Sequence, residues 1–233
     1  MKLQGLNIFY RIYKIKYFVL SMLYKKKLEV VFALIDEFSK ESGYYKSPEL
    51  KERIIDLFIL INKFKIKNVL EIGSGRTTNF FNYLKKKGII NKVVSLEQDR
   101  LFLEKVEKYL NSKEIDHFIL HCPFVIENDG HFLNYIPEKN EFDFLYVDGP
   151  DDLLKINKYN TYDGRAICKD VVNYIQNNIH PKVIVFDGRI SSIIYSRPFL
   201  LNYRFFPGIR FSLKFNSFKG KIRLNRHSYF IKK

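Results

Sequence analysis

The chain has 233 residues, enough for one α/β domain with a full core and a small addition. Its formal charge is +15, and its two cysteines, Cys122 and Cys168, are too few and too far apart for a disulfide framework or a zinc cluster. Two free thiols suit a reducing compartment, so a cytoplasmic protein, at most peripheral at the inner membrane, is expected.

The positive charge sits at the two ends. Residues 1 to 27 hold seven Lys or Arg and no acid, and residues 188 to 233 hold eleven and no acid. Taking these eighteen from +15 leaves −3 for the part between. Such ends attract an anionic small-molecule or glycan acceptor, an anionic membrane surface, or RNA. From Leu6 to Leu23 the chain is rich in Ile, Phe, Tyr and Leu, but Arg11, Lys14 and Lys16 interrupt it. Three central cations cost roughly 7–10 kcal/mol on insertion, while about ten apolar residues return only about 3–6. A spanning helix is therefore excluded, and the apolar part is too short for a signal peptide. A helix lying on a membrane, or docking on the domain or on a second subunit as a homodimer, remains.

Helices are expected over 7–24 and 28–40, then from Ser47-Pro48-Glu49 to about Lys63. Residues 1–46 read as a basic helical extension and 47–233 as the main domain. A strand at 67–72 runs into Gly73-Ser74-Gly75, and a helix follows at 76–87. A strand ending in a glycine turn that opens a helix aims free N–H groups and a positive dipole end into one crevice. Glu71 stands two places before the first glycine, and a second strand at 90–97 ends in Glu97, an acid well placed to bind the two hydroxyls of a ribose. A dinucleotide turn wants a third glycine where Thr78 stands. A carboxylate beside the turn would repel a pyrophosphate but attract the ammonium and sulfonium of S-adenosylmethionine.

An amphipathic helix at 99–111, a strand from Asp116 to His121 and a loop over 122–140 come next. The apolar strand 142–148 reads as one buried on both faces. A loop at 149–163, a helix at 164–179 and a strand at 182–186 follow. Arg210 to Phe215 and Lys221 to Ile231 read as closing antiparallel strands. Strands alternating with helices imply a doubly wound, mostly parallel sheet.

Val69-Leu70-Glu71-Ile72-Gly73-Ser74-Gly75 resembles motif I of the class I S-adenosylmethionine-dependent methyltransferases. Val94 to Asp99 is similar to that family's second motif, and Phe142 to Pro150 to its fourth. The resemblance covers roughly residues 50 to 190 and implies a seven-stranded Rossmann-like sheet. It also implies that Glu71, Gly73, Ser74 and Gly75 line the methionine part, with Thr77 in the same cofactor-binding set. Glu97 would hold the ribose, Gln98 would flank the adenine, and Asp148 would sit nearest the methyl.

Glu71, Glu97, Asp148 and Asp187 all fall at the carboxyl ends of expected strands, where ligands sit in open α/β sheets. Asp148 is the expected reacting group, as base, as orienting group, or as a metal ligand. Some catechol-type members of the family hold magnesium with acids like Asp148 and Asp187 plus an Asn; here Gly188 stands in the Asn place. His121 is a second candidate base. Arg165 and Arg189 are candidate holders of an anionic substrate, while Asp151 and Asp152 lie in the neighbouring loop. Family members that methylate DNA amino groups carry Asn or Asp, then Pro-Pro and an aromatic, where this chain has Asp148-Gly149-Pro150-Asp151. That departure favours O-methylation of a small-molecule or glycan hydroxyl, with RNA methylation and a non-catalytic partner subunit as the alternatives.

Overall fold

The computed structural model describes residues 15, 18, 19, 48–127, 130–149, 161, 165–208 and 227–233. Two compact units divide at residues 63 and 64. In the first, Ile15, Phe18 and Val19 are helical and exposed. Helix α1 (Pro48–Lys63) ends on a lysine, a cation favoured beside the negative end of the helix dipole. The remainder of the expected helices at 7–24 and 28–40 lies outside the described residues.

The second unit carries a seven-stranded sheet in the order β3-β2-β1-β6-β8-β10-β9. Strands β1 (Asn68–Ile72), β2 (Lys92–Glu97), β3 (Ile119–His121), β6 (Phe144–Val147) and β8 (Val183–Phe186) run parallel. β10 (Ser228–Lys232) is antiparallel to both neighbours, β8 and β9 (Tyr203–Phe206). Helices α2 (Arg76–Lys86) and α3 (Arg100–Ser112) make the first two crossovers. The doubly wound, mostly parallel sheet expected from the sequence is present.

Alternation along the strands decides what each face buries. Leu70 and Ile72 of β1 join Val94, Leu96, Leu145, Val147, Ile184 and Phe186 in one core, closed by Val171 and Tyr174 of α4 (Asp170–Gln176) and by Ile190 and Ile193 of α5 (Ile190–Ser196). On the other face Phe81 of α2 meets the rings of Phe144 and Tyr146 edge-on, at 6.2 and 5.6 Å. Asp99 stops the chain after β2 and caps α3, its Oδ1 accepting from the N–H groups of Leu101 and Phe102.

Three expectations change. The loop expected at 122–140 contains β4 (Phe124–Glu127) and β5 (Gly130–Leu133), which form a second sheet with β7 (Ile167–Cys168) in the order β4-β5-β7. Gly130 permits the pairing, because a Cβ there would stand 2.6 Å from the Ile167 carbonyl oxygen. The helix expected from 164 starts only at Asp170, whose Oδ1 is held by the Leu133 N–H at 2.9 Å. Finally, β9 at Tyr203–Phe206 pairs with β10, an edge the sequence reading assigned no strand. The expected strand 210–215 lies outside the described residues. No helix among the described residues is long and apolar enough to cross a membrane.

Candidate functional site

An open pocket of roughly 200 Å³ lies off the carboxyl ends of β1, β2 and β6. Gly73, Ser74, Glu97, Gln98, Asp99, Phe102, Asp148 and Gly149 line it. Three of these eight residues are acids and none is a base. The negative field this creates favours a cationic ligand and opposes a pyrophosphate.

The floor is a meeting of two backbones. Gly73 adopts φ +88°, open to glycine at little cost, and its N–H donates to the Leu96 carbonyl at 2.9 Å. The Ile72 carbonyl accepts from the N–H groups of both Asp148 (3.0 Å) and Gly149 (2.7 Å). These bonds tie the end of β6 to the end of β1 and fix where Asp148 leaves the sheet.

Glu97 forms one wall. Its Oε2 accepts from the Ser74 N–H at 2.9 Å and the Ser74 hydroxyl at 2.6 Å, and its Oε1 accepts from the Asp99 N–H at 2.9 Å. Glu97 also lines the pocket, where ligand hydroxyls would meet it in competition with these donors. Burial pushes its pKa up, and the bonds from Ser74 and Asp99 oppose the rise. The Gln98 Oε1 is buried without a hydrogen-bond partner, the state of an acceptor awaiting a ligand donor.

Glu71 does not line the pocket. It shares its face of β1 with Val69, so it points under α2, where it is wholly buried. There its oxygens accept from the hydroxyls of Thr77 (2.5 Å), Thr78 (2.6 Å) and Ser95 (2.7 Å). Burial raises its pKa to about 7 against the pull of those three bonds. Thr78 also accepts from the Gly75 N–H at 2.7 Å, so Glu71 braces the turn through a hydroxyl. Thr77 likewise serves Glu71 rather than the pocket, and Gly75 lies outside the lining.

Asp148 is in the pocket; of the other two expected catalytic residues, Asp187 follows the neighbouring strand end, its N–H on the Val147 carbonyl at 3.0 Å, and His121 lies far from it. His121 ends the edge strand β3, three strands from β6 and hence about 14 Å away at the usual strand spacing. Its exposed ring bonds the Gln98 carbonyl through Nε2 at 3.2 Å. Asp187 is buried at the end of β8, with His227 Nε2 4.0 Å from its Oδ1. Arg189 is no rim residue: it is 1% exposed, and its guanidinium donates through Nη2 to the Asp148 carbonyl oxygen. Arg165 is exposed, and Asp151 and Asp152 lie outside the described residues.

Among the described residues, this end of the sheet does not fit magnesium. Gly188 offers no side-chain donor, and a buried guanidinium already reaches from the end of β8 to the end of β6. Among the described residues no group of three His, Cys, Asp or Glu side chains is placed to hold a metal. S-adenosylmethionine does fit: an acidic pocket, the Glu97 carboxylate in its wall and an unpartnered amide oxygen match its cations, ribose and adenine amine.

Sequence reasoning missed Phe102 and the pocket face of Asp99, although an Asp before an amphipathic helix signals a cap that turns the first helical side chains toward the strand ends. It also missed the Thr78 and Ser95 hydroxyls around Glu71, which only the strand register brings together.

No protein-family model matches the sequence, and no curated protein does. Among solved structures the chain is similar to a methyltransferase from Pyrococcus furiosus, with 18% identity over 77% of this chain and 82% of that one, TM-score 0.44. It is also similar to a dimethyladenosine transferase from Plasmodium falciparum, with 18% identity over 76% and 61%, TM-score 0.42. A third is the Pyrococcus abyssi tRNA (uracil-54, C5)-methyltransferase in complex with S-adenosyl-L-homocysteine, with 16% identity over 77% and 38%, TM-score 0.41. The strand order with one reversed strand, β10, and the glycine turn closing β1 are those of the class I S-adenosylmethionine-dependent methyltransferase fold.

Proposed function

We propose that the chain binds S-adenosylmethionine in the pocket between Glu97 and Asp148 and methylates a hydroxyl group of a small molecule or glycan. The observation that carries this reading is the lining itself, three carboxylates around a glycine floor with no cation among them. When bound, the cofactor supplies a sulfonium methyl, an electrophile strong enough that catalysis rests on positioning.

Glu97 accepts from the ribose hydroxyls. Gln98 Oε1 accepts from the adenine amine, against the ring of Phe102. Asp148 accepts the proton of the incoming hydroxyl. With the cofactor bound, the hydroxyl oxygen would form the new bond to the methyl carbon as the carbon–sulfur bond breaks with its electrons on sulfur. The products are a methyl ether and S-adenosylhomocysteine, and Asp148 returns its proton to water. A carboxylate proton acceptor suits oxygen acceptors, which must lose a proton to become good nucleophiles.

For the basic N-terminal segment we favour an anionic lipid surface over RNA. Ile15, Phe18 and Val19 lie at i, i+3 and i+4 of a helix and are 62%, 62% and 42% exposed, among Arg11, Lys14 and Lys16. An apolar stripe among cations suits a lipid interface.

Titration of S-adenosylhomocysteine by calorimetry tests the cofactor, and transfer of a labelled methyl to hydroxyl-bearing small molecules and glycans, against tRNA, tests the acceptor. Saturable binding with label in an alkali-stable ether is expected. Absent binding, or label found only in RNA bases, would reject the reading.

A further inference from the structure

We infer that Arg189 supplies the fixed positive charge of the reacting centre in place of a divalent ion, so that methyl transfer in this chain runs without a metal; the inference rests on the methyltransferase reading above.

Arg189 stands two residues beyond Asp187, at the start of α5, yet its guanidinium crosses to the neighbouring strand end and donates to the Asp148 carbonyl. The Asp148 peptide is thereby held from two sides. The Ile72 carbonyl takes its N–H at 3.0 Å, and Arg189 takes its oxygen. Between these two grips Asp148 lines the pocket beside Gly149.

Among the described residues, Arg189 is also the largest side chain buried almost completely. Taking a guanidinium out of water costs several kcal/mol unless its surroundings answer it. A core built only for stability would place an apolar side chain there. Burial chiefly lowers the pKa of His131, and the Arg189 and Lys169 charges push it the same way.

A divalent ion held by Asp148 and Asp187 would have to share this volume with a permanent cation. Like charges in low-dielectric surroundings repel strongly, and a guanidinium cannot shed its proton to make room. Arg189 therefore serves as a positioning residue: it neutralises the strand ends and fixes Asp148, while ligand contacts fall to the pocket wall.

The test uses Mn²⁺ as the probe, followed by electron paramagnetic resonance on the full chain, with Arg189→Met and Arg189→Met/Asp187→Asn beside the wild type. The wild type is expected to bind no stoichiometric Mn²⁺ at about millimolar concentration, and its affinity for S-adenosylhomocysteine should be unchanged by chelator. Arg189→Met removes the cation and leaves the two acids at adjacent strand ends. It should gain a Mn²⁺ site at least about tenfold tighter than the wild type, and the double variant should lose it again. A purely structural arginine would not create a metal site when removed.

One Mn²⁺ per wild-type chain, lost in Asp187→Asn, would overturn the inference. So would a folded Arg189→Met that gains no site. If circular dichroism shows that Arg189→Met does not fold, Arg189→Lys keeps the charge and must remain indifferent to Mn²⁺, with tight binding there counting against the inference. Failure of S-adenosylhomocysteine to bind the wild type would reject the methyltransferase reading, while the Mn²⁺ results would still decide the role of Arg189.

Discussion

Gly73 and Gly149 meet backbone to backbone, and a Cβ built on either would stand 2.4 Å from the Cα of the other. The two residues end adjacent parallel strands, β1 and β6, and together they make the floor on which a ligand rests. The pairing explains why one glycine in the turn after β1 demands a second in the Asp-Gly step 76 residues later.

Gly149→Ala should therefore be costly even though alanine suits most backbones. The methyl must push the ends of β1 and β6 apart, an overpacking that costs about 1–3 kcal/mol. A lowered thermal midpoint together with S-adenosylhomocysteine binding weakened by about tenfold or more is expected. Gly73→Val should do more, since it adds strain at φ +88° to the same collision. A Gly149→Ala variant with wild-type melting and affinity would show that the floor gives way easily.

Glu97 is the carboxylate wall of the pocket. Glu97→Ala removes that acceptor and also releases the Ser74 N–H and hydroxyl, which now both point at Oε2. Calorimetry should show affinity for the cofactor product reduced by about a hundredfold, in line with about 3 kcal/mol for hydrogen bonds to a charged group and groups left unpaired. Ser74→Ala, which loses only the hydroxyl bond, should fall by about tenfold or less. Equal losses in both variants would mean that the turn had rearranged.

Much of this was legible in the sequence. The glycine turn, the strand-end acids and the strand–helix alternation each have a local physical cause, so β1, α2, β2, α3 and α1 appear within a few residues of expectation. The second sheet was not legible, because β4 and β5 are short, Val125 and Ile126 are exposed, and pairing to β7 depends on a distant Gly130. Glu71 was placed at the right strand end but on the wrong side of it. Parity along β1 puts it with Val69 under α2, and the three hydroxyls that answer it come from two other elements. Arg189 reads as a surface cation in sequence because nothing local marks a buried guanidinium.

Two buried carboxyls give the fold a pH signature. Glu71 is raised from 4.5 and Asp170 from 3.8, both to about 7 and both chiefly by burial. The folded chain thus keeps protons that the unfolded chain has released. Their contribution to stability is complete below the unfolded values and is lost as pH rises through about 7. Urea unfolding should show stability falling between about pH 5 and pH 7, and Glu71→Gln should flatten that fall. An unchanged slope in Glu71→Gln would place the protons elsewhere.

Attachment through the N-terminal helix separates from cofactor binding. The triple substitution Ile15→Ser, Phe18→Ser, Val19→Ser should abolish sedimentation with vesicles containing anionic phospholipid while leaving S-adenosylhomocysteine affinity within about twofold. Binding that persists, and that falls steeply with salt on RNA instead, would favour nucleic acid.

Asp148 bears the chemical part of the proposal. Its backbone is gripped by the Ile72 carbonyl and Arg189, and it lines the pocket at the end of a strand whose residues, Phe144 to Val147, are all buried and apolar or aromatic. Asp148→Asn keeps the shape and removes the proton acceptor. The variant should fold and bind S-adenosylhomocysteine nearly as the wild type does, yet turn over at least about a hundredfold more slowly, the usual scale for a positioned acid–base group. The deficit should lie in kcat rather than KM, because the lost interaction acts on the proton that leaves as the methyl arrives. Raising pH should not rescue it, since the missing group is a base and not an unprotonated form of the acceptor. His121, about three strands away, cannot take over, so His121→Ala should retain wild-type kcat. A fully active Asp148→Asn would move the reacting centre out of this pocket, and a loss confined to KM would make Asp148 a holder of substrate instead of its base.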